Sequence, residues 1–520
     1  MKVYTNATFI SCDENDSIFK VLVEDKGRIL YTGDNIPDKY RDAEILDLGG
    51  KCVLPAFGDT HIHFGSFALF HFGLDLRRAE NFEEMGAIIK QYEEQHPQEK
   101  FFFGFGVSAH TVAEGRLVER ADLDKMTSHP LLIEKYDGHA AVANSALIEL
   151  FPEEILRDPD FNEESGWLYV NSHYLAVQHV SKMMKPLKLL ANMIKASDFM
   201  AQRGIGLIHS VEGNGFPRDT DFDMMMKIGR ALPQDFRLYF QTMEPRKAIK
   251  RKLPRIGGCF ACALDGCFGS EDAALTEPYS HDASNQGVLM YSQAEVNDFV
   301  MEANQAGLQV AMHAIGDAAF EQALTAYEYA LQRHPRDDHR HIIIHADLAS
   351  PEQIERAARL NLHMAVQPNF LNWREEPMEY LEKILGKRAD KMLSFKDMRE
   401  AGIKLAAGSD APCTVPDPIL SIHNTCNHPN PSQRLTIQEA LKMHTIWPAE
   451  FTFDEKDLGT LSPGKWANFA ILDKNPLETP TEKLKDLSVD ATYLRGKKNE
   501  GMNQSTLRLL MRSLVCREKI

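Results

Sequence analysis

Two histidines separated by one residue, His61 and His63 in the segment LPAFGDTHIHFG, are well placed to bind a metal ion. In a β-strand, residues i and i+2 project from the same face, so both imidazoles can approach one cation from the end of a single strand. The preceding run CVLPAF is apolar and favours a strand, and the Gly and Asp that follow indicate its end. Taken alone, the pair also fits two ordinary polar residues at a strand end.

Three further candidate ligands each end an apolar, strand-forming run of their own: His313 in LQVAMHAIGDAA, His345 in HIIIHADLASP and Asp410 in GIKLAAGSDAP. Runs without alternation are typical of parallel strands that are covered on both faces. In α/β barrels, active sites are built where such strands emerge. A single residue of this kind is more often a core or loop residue, but five in this arrangement predict one shared metal site.

Several ordered sequence blocks resemble the metal-dependent amidohydrolase superfamily, and within it the branch that includes the N-substituted formamide deformylases. They are PAFGDTHIHF, YDGHAAVANSAL (136–147), LDGCFGSEDAALTEPYS (264–280), HAIGDAA (313–319), PSQRLTIQEAL (431–441) and GTLSPGKWANFAILDKNP (459–476). The resemblance implies a (β/α)8 TIM barrel that hydrolyses a C–N bond of an amide, formamide or cyclic amide. It also implies that Asp410 ends the eighth strand, binds metal and acts as general base and then general acid. The fold hosts many reactions, so the substrate stays open.

Counting strands back from Asp410 gives eight, which predicts a barrel over residues 56–458 with an inserted subdomain at about 70–200. In the family that this sequence resembles, the two ends of the chain pair into a small β-sandwich. The corresponding residues here are 1–55 and 459–500. The tail, 501–520, is predicted to be a helix whose apolar face packs onto this or another subunit. A homodimer is the oligomer that the resemblance favours.

A divalent metal, with zinc as the default for imidazole and carboxylate ligands, is the expected cofactor. Two-metal relatives often carry a bridging lysine in a K-x-x-x-D-G pattern, but this chain has Ala261 in that place, four residues before Asp265. Either one ion binds, or another anion bridges two; Glu212, at the end of the second strand, is the candidate bridge. Cys259 and Cys262 are interpreted as buried thiols of the fourth strand.

Three side chains near the predicted mouth of the barrel are candidates for substrate contact: His139, His209 and Gln367. His139 lies in the insertion, so it reaches the site only if the insertion folds over the barrel. The glutamate of an H-x-x-E element, common in single-metal deaminating relatives, is replaced here by Gly316. A deaminating aminohydrolase and a non-catalytic scaffold nevertheless stay open as alternatives.

Composition agrees with a large soluble enzyme. With 520 residues and 43% hydrophobic content, the chain can bury a sizeable core and form more than one domain. The net charge of -17 argues against sequence-independent nucleic-acid binding. No signal peptide or membrane-spanning run is recognisable, which predicts a cytoplasmic protein. The eight cysteines show no disulfide spacing.

Overall fold

Eight parallel strands form the central sheet of the protein. The computed structural model describes residues 1–213, 219–501, 505–516 and 520. The strands lie in sequence order around the sheet. They are β1 (Phe57–Ile62), β2 (Ile205–Glu212), β3 (Asp235–Phe240), β4 (Arg255–Ala263), β5 (Gln309–Ala314), β6 (Ile342–His345), β7 (His363–Val366) and β8 (Lys404–Ala407).

Helices connect most of these strands and cover the outside of the sheet. Those that lie between β1 and β8 are Phe64–His71, Pro186–Gln202, Thr220–Ile228, Pro245–Lys250, Gln293–Gln305, Asp317–Arg333, Pro351–Arg359, Met378–Leu385 and Phe395–Glu400. Those that follow β8 are Pro418–Cys426, Ile437–Met443 and Ile446–Phe451. This alternation of strand and helix is the arrangement of a (β/α)8 barrel. The predicted barrel with eight parallel strands is therefore confirmed.

The barrel strands are buried on both faces, which explains their continuous apolar runs. Every residue of β2, β3, β5, β6 and β7 is buried. The barrel closes between the ends of β1 and β8, where Asp410 N donates to His61 O at 2.7 Å and Ser409 N donates to the Asp59 carboxylate at 2.9 Å. Two of the candidate ligands therefore lie at the closing point of the sheet.

The first predicted strand, CVLPAFGDTHIH, spans two different sheets. Residues up to Pro55 belong to the strand Glu44–Pro55 of a second sheet, and β1 begins at Phe57. Ala56 N donates to Asn468 O, whereas Phe57 N donates to Gly204 O next to β2. The chain changes partners at this point, and Pro55 contributes no N–H to either sheet.

The second sheet contains strands from both ends of the chain. Glu44–Pro55 pairs in parallel with Lys2–Ile10 and antiparallel with Phe469–Leu472. The remaining members are Ile18–Phe19, Val21–Asp25, Arg28–Gly33, Val489–Leu494 and Lys497–Lys498. The two-layer sandwich and the domain limits stay predictions. Within the described ranges, no helix has the length and apolar character needed to cross a membrane.

The segment between β1 and β2 contains a third sheet. Its strands are Leu74–Asp75, Phe102–Val107, Leu131–Lys135, Ala140–Ala143, Phe161–Asn162 and Trp167–Tyr169, with the helices Phe82–Gln95, Arg120–Met126, Ser145–Ile148, Glu153–Leu156 and Val170–Ser181. The turn after Leu131–Lys135 touches the barrel, because Lys135 Nζ donates to Gly269 O at 3.1 Å and to Ser270 Oγ at 2.7 Å. Near the end of the chain, the helix Thr506–Val515 lies within the predicted tail helix.

Candidate metal centre

Four histidines and one aspartate meet at the carboxyl edge of the barrel. His61 lies near the end of β1 and His63 just after it; His313 lies near the end of β5, His345 ends β6, and Asp410 follows β8. All five side chains are buried. The predicted ligands are thus brought together from four strands that are far apart in the sequence.

Asp410 is the carboxylate at the centre of this cluster. Its Oδ1 lies 3.0 Å from Nε2 of His61 and 3.3 Å from Nε2 of His63. The rings of His313 and His345 are 4.4 Å apart between centroids, and His345 is 5.2 Å from His61. Donor atoms of His61, His345 and Asp410 all lie within 4.8 Å of one another.

The backbone at the centre is held in conformations that few residues adopt freely. His345 has φ of 71° and Asp410 has φ of 54°, both in the left-handed region. For a non-glycine residue this costs about 1–3 kcal/mol, and such strain concentrates at functional sites. Gly408 permits the close approach of β8 to β1, because a Cβ there would lie 2.5 Å from His61 N.

Gln367 fixes the orientation of His345. Its Oε1 lies 2.7 Å from Nδ1 of His345, and the amide oxygen can only accept a hydrogen bond. The imidazole proton is therefore on Nδ1, and Nε2 presents a lone pair to the centre. Outer partners of this kind orient metal-ligating histidines. Gln367 thus contacts His345, and its predicted contact with a substrate stays a prediction.

Burial and neighbouring charges shift the pKa values of four residues in the cluster. Burial, with added repulsion from His313, holds the pKa of His345 well below its usual range, and burial also lowers the pKa of His61. Burial alone would raise the pKa of Asp410, but the adjacent His61 and His63 hold it well below its usual value. Burial alone would lower the pKa of His313 too, but the Asp265 carboxylate outweighs it and the pKa is raised. A neutral imidazole, as favoured for His61 and His345, and an ionised carboxylate are the forms that bind a metal.

The residues present fit a divalent ion. Nδ1 of His313 is buried without a hydrogen-bond partner, which normally costs about 1–3 kcal/mol. Ligands at about 2.0–2.1 Å in a tetrahedral site lie about 3.3 Å from one another. The separations of 3.0 and 3.3 Å around Asp410 match this spacing. The nitrogen and oxygen donors suit zinc.

Two predicted residues face away from the cluster. Glu212 Oε1 accepts from Gly65 N at 3.0 Å and from Ser210 Oγ at 2.7 Å, and burial raises its pKa to about 7. Its carboxylate caps the start of the helix Phe64–His71, so the bridging role predicted for it has no support in this geometry. His209 lies 3.3 Å from Thr452 Oγ1, beside the ring of Tyr239 and away from the metal-binding histidines. Side chains alternate between the two faces of a strand, so the sequence of β2 did not show which of its side chains face the cluster.

His139 lies nearer to the cluster than those two. Its ring centroid is 6.3 Å from that of His313, and the side chain is partly exposed. The segment that carries it, in the turn before Ala140–Ala143, therefore reaches the barrel mouth. Its contact with a substrate stays a prediction.

Two residues of the site were not identified from the sequence as site residues. Cys259 Sγ lies 3.3 Å from Nε2 of His61 and 3.6 Å from Nε2 of His345. Asp265 lies 3.4 Å from Nε2 of His313, and its oxygens accept from the backbone N–H groups of Ala274, Ile315 and Gly316. The Asp-Gly pair after β4 was a usable signal for Asp265. The signal for Cys259 was weaker, since the cysteine is not at the position of the lysine in the resembling pattern.

Comparison with known proteins agrees with this geometry. A sequence model described as the Amidohydrolase family matches residues 44–498. This chain belongs to the amidohydrolase family. Membership of this family indicates that the amidohydrolase is a metal-dependent hydrolase acting on C–N bonds.

Individual relatives cover almost all of this amidohydrolase. It is 28% identical to the putative amidohydrolase YtcJ of Bacillus subtilis (strain 168), over 95% of this chain and 99% of the relative. It is 26% identical to the N-substituted formamide deformylase of Arthrobacter pascens, over 94% of this chain and 96% of the relative. A solved structure of an uncharacterized metal-dependent hydrolase from Pyrococcus furiosus has a TM-score of 0.74, with 27% identity over 92% of this chain and 100% of the other.

Proposed function

We propose that this protein hydrolyses the C–N bond of a small amide, formamide or cyclic amide at the centre formed by the four histidines and Asp410. The observation that carries the proposal is their convergence, with unpartnered donor atoms, at the carboxyl edge of a barrel. The similarity to an N-substituted formamide deformylase supports N-substituted formamides as the first substrates to test. Zinc is the metal we expect.

A divalent ion held by these residues would lower the pKa of a coordinated water molecule to about 7 and polarise the substrate carbonyl. Asp410 is ionised and buried, so its carboxylate can accept the proton of the attacking water. It then returns this proton to the leaving nitrogen, which departs as a neutral amine. General acid–base catalysis of this kind contributes about 10²–10⁴-fold.

Two groups at the mouth are candidates for holding the substrate. Phe260 is 42% exposed, and its ring packs at 4.9 Å against the ring of His63. This exposed aromatic face suits an apolar substituent on the substrate nitrogen. His139, whose ring lies 6.3 Å from that of His313, would donate a hydrogen bond to a polar substrate group.

The test combines metal analysis with a panel of small substrates. Purified protein is assayed for release of formate, amine or ammonia from N-alkyl and N-benzyl formamides, linear amides, cyclic amides and amidine-like compounds. We expect hydrolysis of at least one amide class, and weaker hydrolysis of the N-benzyl compounds by Phe260→Ala. Ammonia release from the amidine-like compounds alone would favour the deaminating alternative.

The double substitution His61→Ala with His63→Ala supplies the loss-of-site control. We expect it to lose metal and turnover while the fold is retained, because both histidines lie at a strand end. His334 is exposed, and His334→Ala is the matched control, which should keep its metal content and its turnover. Full metal content and turnover in the double variant would refute the proposed site. A homodimer, to be tested by light scattering, and a cytoplasmic location remain proposals.

A further inference from the structure

The fourth barrel strand contains a large bulge beside the metal centre. Gly258 pairs with Met312 of β5, and the next paired residue, Ala263, is opposite His313. Between these two pairs, β4 contains the four residues 259–262 and β5 contains none, so these four residues form the bulge. Bulges redirect side chains and are frequent next to active sites.

Two glycines allow the chain to enter this bulge. Gly257 has φ of 107° and Gly258 has φ of 133°, a region that side chains rarely permit. A Cβ at Gly257 would lie 1.8 Å from Ala311 O. Beyond them, the N–H of Cys259 donates to Gln241 Oε1 at 3.1 Å. The backbone thus fixes the position from which the Cys259 side chain leaves the strand.

The Cys259 sulfur lies among the metal-binding nitrogens. It is 3.3 Å from Nε2 of His61 and 3.6 Å from Nε2 of His345. A thiol has one proton and can donate it to only one of these nitrogens. Nε2 of His345 carries no proton, since Gln367 holds that proton on Nδ1. The thiol can therefore donate to Nε2 of His345 while its sulfur accepts from Nε2 of His61, which holds the sulfur within reach of both rings.

The same sulfur is common to two separate groups of potential ligands. Donor atoms of His61, His63 and Cys259 lie within 4.8 Å of one another, and so do those of Cys259, His313 and His345. Each group contains its own pair of histidines. Two cations held by these pairs would repel each other unless an anion lay between them. Cys259 occupies the shared position, and Glu212 does not.

We propose that Cys259 binds as a thiolate that bridges two metal ions, one held by His61 and His63 and the other by His313 and His345. This inference rests on the proposed function, because it concerns the same centre. On binding, the thiol loses its proton to solvent, and the sulfur forms a bond to each ion. A thiolate also favours zinc, cobalt or cadmium over magnesium and calcium.

The experiment uses cobalt as the probe. Apoprotein is loaded with cobalt(II), and the near-ultraviolet spectrum is recorded for the wild type, Cys259→Ser and Cys262→Ser. Cys262 is the matched control, since it is buried in the same bulge but belongs to none of the ligand groups. We expect thiolate-to-cobalt charge-transfer absorption in the wild type and in Cys262→Ser, and its loss in Cys259→Ser.

Metal content provides a second, independent measurement. Elemental analysis is expected to give two ions per chain in the wild type and in Cys262→Ser, and a decrease toward one in Cys259→Ser. X-ray absorption at the zinc edge of the wild type should show sulfur at about 2.3 Å. The wild-type spectra decide the question even if Cys259→Ser fails to fold.

The possible failures can be told apart. Metal-loaded wild type that hydrolyses substrate but shows no sulfur ligand would overturn the thiolate bridge and leave the proposed function intact. One ion per chain with a sulfur ligand would overturn the bridge between two ions. Wild type that binds no divalent metal would overturn both proposals.

Discussion

The side-chain oxygen of Gln367 lies 2.7 Å from Nδ1 of His345 and determines which nitrogen of that ring faces the metal centre. Gln367 is fully buried, and removing its side chain would take this acceptor from Nδ1 of His345. A substitution of Gln367, which is not itself a predicted ligand, should therefore weaken metal binding.

We predict that Gln367→Ala lowers metal affinity by about 10–100-fold, the range for loss of an outer partner of a ligating histidine. Competition with a chromogenic chelator measures this affinity. Gln367→Glu, which keeps an acceptor at the same distance, should recover most of it. Equal affinities for wild type and Gln367→Ala would show that the hydrogen bond does not orient His345.

Asp410→Asn should retain substrate binding and lose turnover. An amide cannot accept the proton of the attacking water, and general-base catalysis alone contributes about 10²–10⁴-fold. Steady-state kinetics on the best substrate of the panel, at matched metal content, separates kcat from KM. Asp337→Asn, in an exposed loop, is the control. Near-normal kcat in Asp410→Asn would remove Asp410 from the mechanism.

Gly408→Ala should weaken the metal site through the backbone. Its Cβ would lie 2.5 Å from His61 N, so β8 and β1 must separate where they close the barrel. We expect a lower unfolding temperature together with reduced metal content. Gly86→Ala, within the helix Phe82–Gln95, is the matched control and should keep the metal. Unchanged metal content in Gly408→Ala would mean that the closing contact does not position His61.

Glu212→Gln should leave the number of bound metals unchanged, because Glu212 accepts from Gly65 N and Ser210 Oγ instead of facing the imidazoles. Elemental analysis of wild type and variant tests this directly. A decrease of one ion per chain in the variant would restore Glu212 as the bridge and would contradict the role given to Cys259.

His173 and Glu134 should make part of the stability dependent on pH. Burial alone would lower the pKa of His173, but the Glu134 carboxylate, 2.7 Å away, outweighs it and the pKa is raised. The pair therefore stabilises the fold fully below the unfolded value of about 6.5, and the contribution is lost as pH rises through the folded pKa.

Thermal unfolding of wild type and His173→Gln at about pH 5.5 and about pH 8.5 measures this contribution. The difference in unfolding temperature between the two proteins should be larger at the lower pH. A difference that is the same at both values, or larger at the higher pH, would contradict the assigned sign.

The sequence by itself determined the barrel and the residues that meet at its carboxyl edge. Continuous apolar runs mark buried parallel strands, and the ends of parallel strands meet at one edge, so His61, His63, His313, His345 and Asp410 could be grouped from their positions alone. The family resemblance, and not the strand pattern, showed that Ala261 stands where two-metal relatives often carry a bridging lysine. The sequence did not show whether another residue bridges two ions in its place.

Only the tertiary structure decided the directions of the remaining side chains. The bulge at residues 259–262 turns Cys259 toward the imidazoles, and this depends on how β4 packs against β5 and not on local sequence. Glu212 is directed to Gly65 N, which lies 147 residues away along the chain. A one-residue change of register reverses the face that a strand side chain occupies, so such directions follow from long-range packing.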